Sequence, residues 1–141
     1  MLRILIVEDD PVRERWLRSW LPDDIRPVVA NAAGSAIGIL RHDPRRVYAG
    51  VVLDHDLQDR RHADSDTLLC GQDVVEAIVQ CIDRDVPILI HSVNSIGRQA
   101  MATRLRRAGF SIGVIPMTEL TADSFAAWIA DVREAAGEPA V

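Results

Sequence analysis

The sequence predicts an α/β domain: a five-stranded parallel sheet in the order 2-1-3-4-5, with helices on both faces. Three observations carry this expectation. Short runs rich in Val and Ile, without polar alternation, read as strands buried on both faces. Segments with apolar residues at three- and four-residue steps read as helices. The two kinds alternate along the chain, which makes a parallel sheet whose right-handed crossovers favour that order. With 141 residues, 48% of them apolar, the chain can bury such a core without disulfides or a structural metal.

The elements follow in order. Ile4–Val7 is a strand that stops at Glu8-Asp9-Asp10. Pro11 suits a first helical position, and Val12, Trp16, Leu17 and Trp20 recur at three- and four-residue steps to Leu21, with Pro22 ending the segment. Arg26–Ala30 is a weaker second strand. Asn31 or Ser35 is expected to cap a helix through Ile37 and Leu40 that ends near Asp43-Pro44. Val51–Leu53 is a strand that stops at Asp54-His55-Asp56. Gly71-Gln72 opens a helix with Val74, Val75, Ile78, Val79 and Ile82 on one stripe, closed before Pro87. Ile88–Ile90 is the fourth strand, ending at His91-Ser92, and Ile96–Ala108 is a helix with Gly109 as its C′ residue. Ser111–Ile115 is the fifth strand. Thr121 or Asp123 caps a last helix that turns Phe125, Trp128, Ile129 and Val132 inward.

Residues 1–136 are expected to form a single domain and 137–141 a loose tail, with no repeat and no linker. Leu57–Leu69 is a long polar stretch within so compact a domain, and such loops are functional or mobile. A net charge of −5 argues against binding duplex DNA through a basic face. No apolar run approaches ~18 residues, and the acids at Glu8–Asp10 come too early for a signal peptide, so a cytoplasmic protein without a membrane span is expected. Cys70 and Cys81 lack metal-site spacing; eleven positions apart on one helix they would be roughly 16 Å apart, too far to bridge, so both read as buried thiols. Trp16, Trp20 and Trp128 read as packing, and Arg104, Arg106 and Arg107 as a solvated helix face. All sixteen basic residues are arginine, which removes any mechanism that needs a lysine ammonium.

In a doubly wound sheet, ligands sit beyond the carboxyl ends of the strands. There the predicted order gathers Glu8-Asp9-Asp10, Asp54-His55-Asp56 and His91-Ser92 on one edge. Neighbouring carboxylates repel unless a cation intervenes. Hard oxygen ligands on a partly open rim suit Mg²⁺ or Mn²⁺ completed by water.

These segments resemble a known family. Ile4-Leu5-Ile6-Val7-Glu8-Asp9-Asp10-Pro11 looks like the opening of a response-regulator receiver domain. Leu53-Asp54-His55-Asp56-Leu57 resembles its phospho-acceptor strand end, and Val86-Pro87-Ile88-Leu89-Ile90-His91-Ser92 its fourth strand. The resemblance implies that Glu8 and Asp9 are the acidic pair, Asp54 the acceptor and third acid, the Asp56 carbonyl a metal ligand, and Ser92 the hydroxyl that contacts a phosphoryl group. Receivers place a lysine before a proline at the end of the fifth strand, whereas here Ile115 precedes Pro116; Gln58 stands where a proline is usual. A narrower resemblance covers the departures. Leu53-Asp54-His55-Asp56-Leu57, Gly71 with Asp73-Val74, and His91-Ser92-Val93-Asn94 with Gly97-Arg98 and Met101 are similar to the cyclic-phosphate processing receiver domains. That family implies processing of cyclic phosphate groups on nucleotides or RNA ends.

The residues suit metal-dependent hydrolysis of a cyclic phosphodiester. Metal on Asp9 and Asp54, with Glu8 acting through water and, as the resemblance implies, the Asp56 carbonyl as a further ligand, would neutralise charge at phosphorus. His55 and His91 are the candidate acid and base beside Asp54. Ser92, Asn94, the helix start at Gly97, and Arg98 are the candidate phosphate-binding groups. Packing roles stay open for both histidines, because successive strand residues face opposite ways. A capping role stays open for Asn94, helix entry for Gly71, and solvation for Arg60, Arg61 and His62. The alternatives are a signalling module, an atypical receiver phosphorylated on Asp54 by a histidine kinase or a pseudo-receiver working through protein contacts, and a protein that binds a cyclic nucleotide without turnover.

Overall fold

The computed structural model describes residues 1–54, 71–92 and 95–138. Its elements run β1 (Leu2–Val7), α1 (Pro11–Trp20), β2 (Ile25–Ala30), α2 (Ala33–His42), β3 (Gly50–Asp54), α3 (Gly71–Cys81), β4 (Ile88–Ser92), α4 (Ser95–Arg107), β5 (Ile112–Pro116) and α5 (Ala122–Ala135). A short 3₁₀ turn, Met117–Glu119, precedes α5. All strand pairs are parallel and the order is β2-β1-β3-β4-β5, as the sequence predicts.

The sheet is buried on both faces, which is why its strands show no polar alternation. Leu5, Val7, Val51, Leu53, Ile88 and Ile90 pack with residues of α2, α3 and α4. Ile4, Ile6, Val52 and Leu89 point the other way and meet Leu17 of α1 and Phe125, Trp128, Ile129 and Val132 of α5. Full burial of each such aliphatic side chain contributes about 1.5–3 kcal/mol. The close approach of α5 needs Gly50: a Cβ there would lie 2.9 Å from Trp128 Cη2 and 2.9 Å from Val132 Cγ2.

Helix termini follow local chemistry. Asp10 caps α1 by accepting from the backbone N–H of Val12 at 2.8 Å and of Arg13 at 3.4 Å. The bond from Val12 holds its carboxyl below the usual range, helped by Arg13. Thr121 caps α5 in a reciprocal arrangement with Ser124. Gly109 has φ +103°; its N–H donates to the Arg106 carbonyl and that of Phe110 to the Leu105 carbonyl, so α4 closes in a Schellman motif.

Four expectations are corrected. The N-cap of α2 is Ala32, which makes no side-chain cap bond; Ser35 lies inside the helix and its hydroxyl donates to the Ala32 carbonyl. On α1 only Leu17 is buried, while Val12 and Trp16 are about half exposed, because α1 is covered along one edge only. Trp16 stacks on Trp20, which in turn meets Phe125. Arg104 is not merely solvated: its guanidinium forks onto Glu76 at 2.8 and 2.9 Å and ties α4 to α3. Cys81 is half-buried rather than enclosed, and Cys70 lies outside the described residues.

Candidate functional site

The site is built by strand parity. Glu8 continues the alternation of Ile4 and Ile6, Asp54 that of Val52, and His91 that of Leu89. Asp54 and His91 are direct register partners between β3 and β4. The three side chains therefore leave the sheet on its α1/α5 face, immediately past the apolar layer. All three are buried, at 1%, 0% and 0% exposure respectively.

Glu8, Asp9 and Asp54 each offer one carboxylate oxygen, and these oxygens lie within 4.8 Å of one another. Such a set of hard oxygen donors fits a divalent ion of the magnesium class, which takes few protein carboxylates and completes its shell with water. The His91 Nε2 is 3.7 Å from Glu8 Oε1. His91 thus stands among the acids and not on the face beneath α2–α4. On its other side its register partner is Ile115 of β5, so no cation enters the site from that strand.

A cation enters from α1. The Arg13 Nε donates to Glu8 Oε1 at 3.0 Å, and its Nη2 donates to Glu8 Oε2 at 3.4 Å and Asp54 Oδ2 at 3.2 Å. Asp9 Oδ1 is 4.0 Å away and Asp10 Oδ2 3.9 Å. Burial alone would make the guanidinium easier to deprotonate, but the Glu8 hydrogen bond and the charges of Glu8, Asp54 and Asp10 outweigh it, so its proton is held more tightly than usual. Arg13 carries no motif signal in the sequence. Its only mark is spacing: an arginine three and four residues beyond Asp10 and Asp9, on the first turn of a helix capped at Asp10, in a chain without lysine.

The remaining candidates divide. Ser92 is the last residue of β4, one beyond the Asp54–His91 pair, in register with Pro116. Gly97 and Arg98 lie in the first turn of α4, and Arg98 is half-buried. Gly71 opens α3. His55, Asp56, Arg60, Arg61, His62, Asn94 and the 57–69 stretch lie outside the described residues. Beside the acids an open cleft of about 450 Å³ extends toward the end of β2, lined by Glu8, Asp9, Glu14, Val29, Asn31 and Ser35. Among the described residues no helix is long and apolar enough to cross a membrane.

Comparison with known proteins agrees with this architecture. A sequence model described as "Cyclic-phosphate processing Receiver domain" matches residues 3–107. No curated protein matches the chain. Among solved structures, the chain is similar to a CheY-like response regulator receiver domain protein from Methanospirillum hungatei, at 15% identity and TM-score 0.73, covering 99% of both chains. It is similar to a Thermotoga maritima response regulator in complex with Mg²⁺ and BeF, at 19% identity and TM-score 0.65, covering 94% of this chain and 99% of that one. It is also similar to the receiver domain of a Pseudomonas aeruginosa sensor histidine kinase with a magnesium ion in its active-site cleft, at 20% identity and TM-score 0.61, covering 97% and 98%.

Proposed function

The chain belongs to the cyclic-phosphate processing receiver domain family, and from that premise we propose that it is a metal-dependent centre that binds and opens cyclic phosphodiesters of nucleotides or RNA ends. One observation carries the reading: Glu8, Asp9 and Asp54, from two adjacent strand ends, bring carboxylate oxygens within 4.8 Å of one another, with a buried histidine at their side.

Glu8, Asp9 and Asp54 would hold Mg²⁺ or Mn²⁺, with the Asp56 carbonyl as a further ligand. The bound ion supplies charge neutralisation at phosphorus and acidifies coordinated water. The chain's own groups do the rest. His91, whose Nε2 is 3.7 Å from Glu8 Oε1, would hold or pass a proton, and His55 is the second acid–base candidate. Ser92, the α4 start at Gly97 and Arg98 would bind the phosphate, with Asn94 as a further candidate; a helix N-terminus favours an anion through its free N–H groups. The adjacent cleft of about 450 Å³ lies within the range of small-ligand pockets, about 300–1,000 Å³, and would take the nucleoside portion.

The test is incubation with 2′,3′-cyclic-phosphate RNA ends and a panel of cyclic mononucleotides, with and without Mg²⁺ or Mn²⁺. Ring opening that requires metal and disappears in Asp54→Asn is the expected result. Binding without turnover in every case would reduce the protein to a cyclic-nucleotide receptor.

The signalling reading draws support from the similarity to receivers that hold magnesium. In that reading a histidine kinase phosphorylates Asp54. Against it stands Ile115 beside His91, where a receiver would present its lysine. Acetyl phosphate should leave no stable adduct on Asp54 in an intact-mass measurement. An adduct together with a change of oligomeric state would put signalling first.

A further inference from the structure

We propose that Arg13 is a tethered cation that competes with the divalent ion for the carboxylates and, once displaced, becomes the cationic ligand of the phosphate. This rests on the reading of the site as a metal and phosphate centre. The guanidinium uses both Glu8 oxygens and Asp54 Oδ2, at 3.0 to 3.4 Å. Two of the three donors that would hold a metal are therefore engaged by Arg13. A divalent ion seated there meets a positive group at contact distance, in a partly buried place where charge is weakly screened. Metal and guanidinium draw on the same two carboxylates and repel each other, so each weakens the other.

The displaced group has somewhere to go. Arg13 sits on the first turn of α1 at the rim of the site, and its flexible stem can swing the fork toward an anion resting on the metal. A planar guanidinium donates two parallel bonds to a phosphate, which a single ammonium does not. The chain has no lysine and β5 presents Ile115 beside His91, whereas Arg13 already reaches Glu8 and Asp54 at the centre itself. Metal binding thus frees the arm, and phosphate binding keeps it from returning. Metal and phosphate should each raise the other's affinity through this one side chain.

Titration calorimetry with Mn²⁺ alone, inorganic phosphate alone and both together, on wild type, Arg13→Gln and Arg13→Lys, tests this. In Arg13→Gln, Mn²⁺ alone should bind about tenfold tighter, and phosphate in the presence of Mn²⁺ about tenfold weaker, the size of an ordinary coupling between sites. Arg13→Lys retains a cation and guards against loss of folding, which melting curves monitor. It should shift both affinities in the same directions by less. Equal Mn²⁺ affinity in wild type and both variants overturns the proposal and leaves the metal centre standing. Tighter Mn²⁺ binding with unchanged phosphate binding overturns the role of the arm. Absence of Mn²⁺ binding in wild type and variants alike overturns the underlying reading of the site and the proposal with it.

Discussion

The Nη2 of Arg13 donates to Oδ2 of Asp54 over 3.2 Å, joining the first turn of α1 to the end of β3 across 41 positions of sequence. Asp54 is fully buried, and a buried carboxylate without such a partner is costly. Arg13 therefore belongs to the fold as well as to the site. Even so, the three clustered carboxylates of Glu8, Asp9 and Asp54 share one guanidinium, with Asp10 also 3.9 Å from it, and repulsion among them is only partly relieved.

Asp54→Asn follows from this imbalance. Without metal the variant should melt at or above the wild-type temperature, because one of three crowded carboxylates is neutralised and Arg13 retains Glu8. With Mg²⁺ the order should reverse. Wild type gains about 2.7 kcal/mol at a hundredfold excess over its dissociation constant, whereas the variant gains little. Thermal melts with and without Mg²⁺ measure both differences, and a metal-induced rise that survives in Asp54→Asn would remove Asp54 from the ligand set.

His91 is both a core group and a site group, and two substitutions separate the roles. His91→Ala opens a cavity between β3 and β5 and should cost about 2–4 kcal/mol. His91→Phe restores volume and should recover much of that loss in denaturant titrations. If His91 handles a proton, turnover or ligand binding stays at least about tenfold down in both variants. Recovery of activity in His91→Phe would assign the residue to packing alone.

Gly50→Ala should destabilise the protein by about 1–3 kcal/mol. The added Cβ would lie 2.9 Å from Trp128 Cη2 and Val132 Cγ2 and 3.1 Å from Ile4 Cδ1, so α5 must shift from the sheet. Urea unfolding measures the loss, and the Trp128 fluorescence should report the shift.

Tyr48 is the chain's single tyrosine. Its ring is buried and its hydroxyl donates to Asp43 Oδ2 at 2.8 Å. Burial, then the bond to Asp43, pushes its pKa up to about 12 from 10.0. The folded state thus favours the neutral phenol. Its contribution to stability is complete below pH 10 and is lost as pH rises toward 12. Ultraviolet difference titration should place the phenolate transition near pH 12 in folded protein, and Tyr48→Phe should flatten stability across that window. A transition near pH 10 in the folded state would contradict the buried bond.

Much of the fold was legible because its signals are local. Buried-strand runs, the Thr121 cap and Gly109 at the end of α4 each depend on a few neighbouring residues, and the structure places them where the pattern does. The α1 stripe misled for a physical reason. Helical spacing shows which residues share a face, not whether another element covers it, and Val12 and Trp16 have no such cover. Asn31 and Ser35 have capping chemistry, yet the chain turns into α2 at Ala32.

The sequence alone determined the strand order and that Glu8, Asp54 and His91 end on one edge, because element alternation and crossover handedness leave few topologies. Only the tertiary structure decided how those groups pair. Strand parity set Glu8, Asp54 and His91 on one face, and the approach of α1 brought Arg13 into them. Electrostatic pairing depends on distances of a few ångströms between residues far apart in the chain. Periodicity, which reports direction from the backbone and not separation in space, carries no record of it.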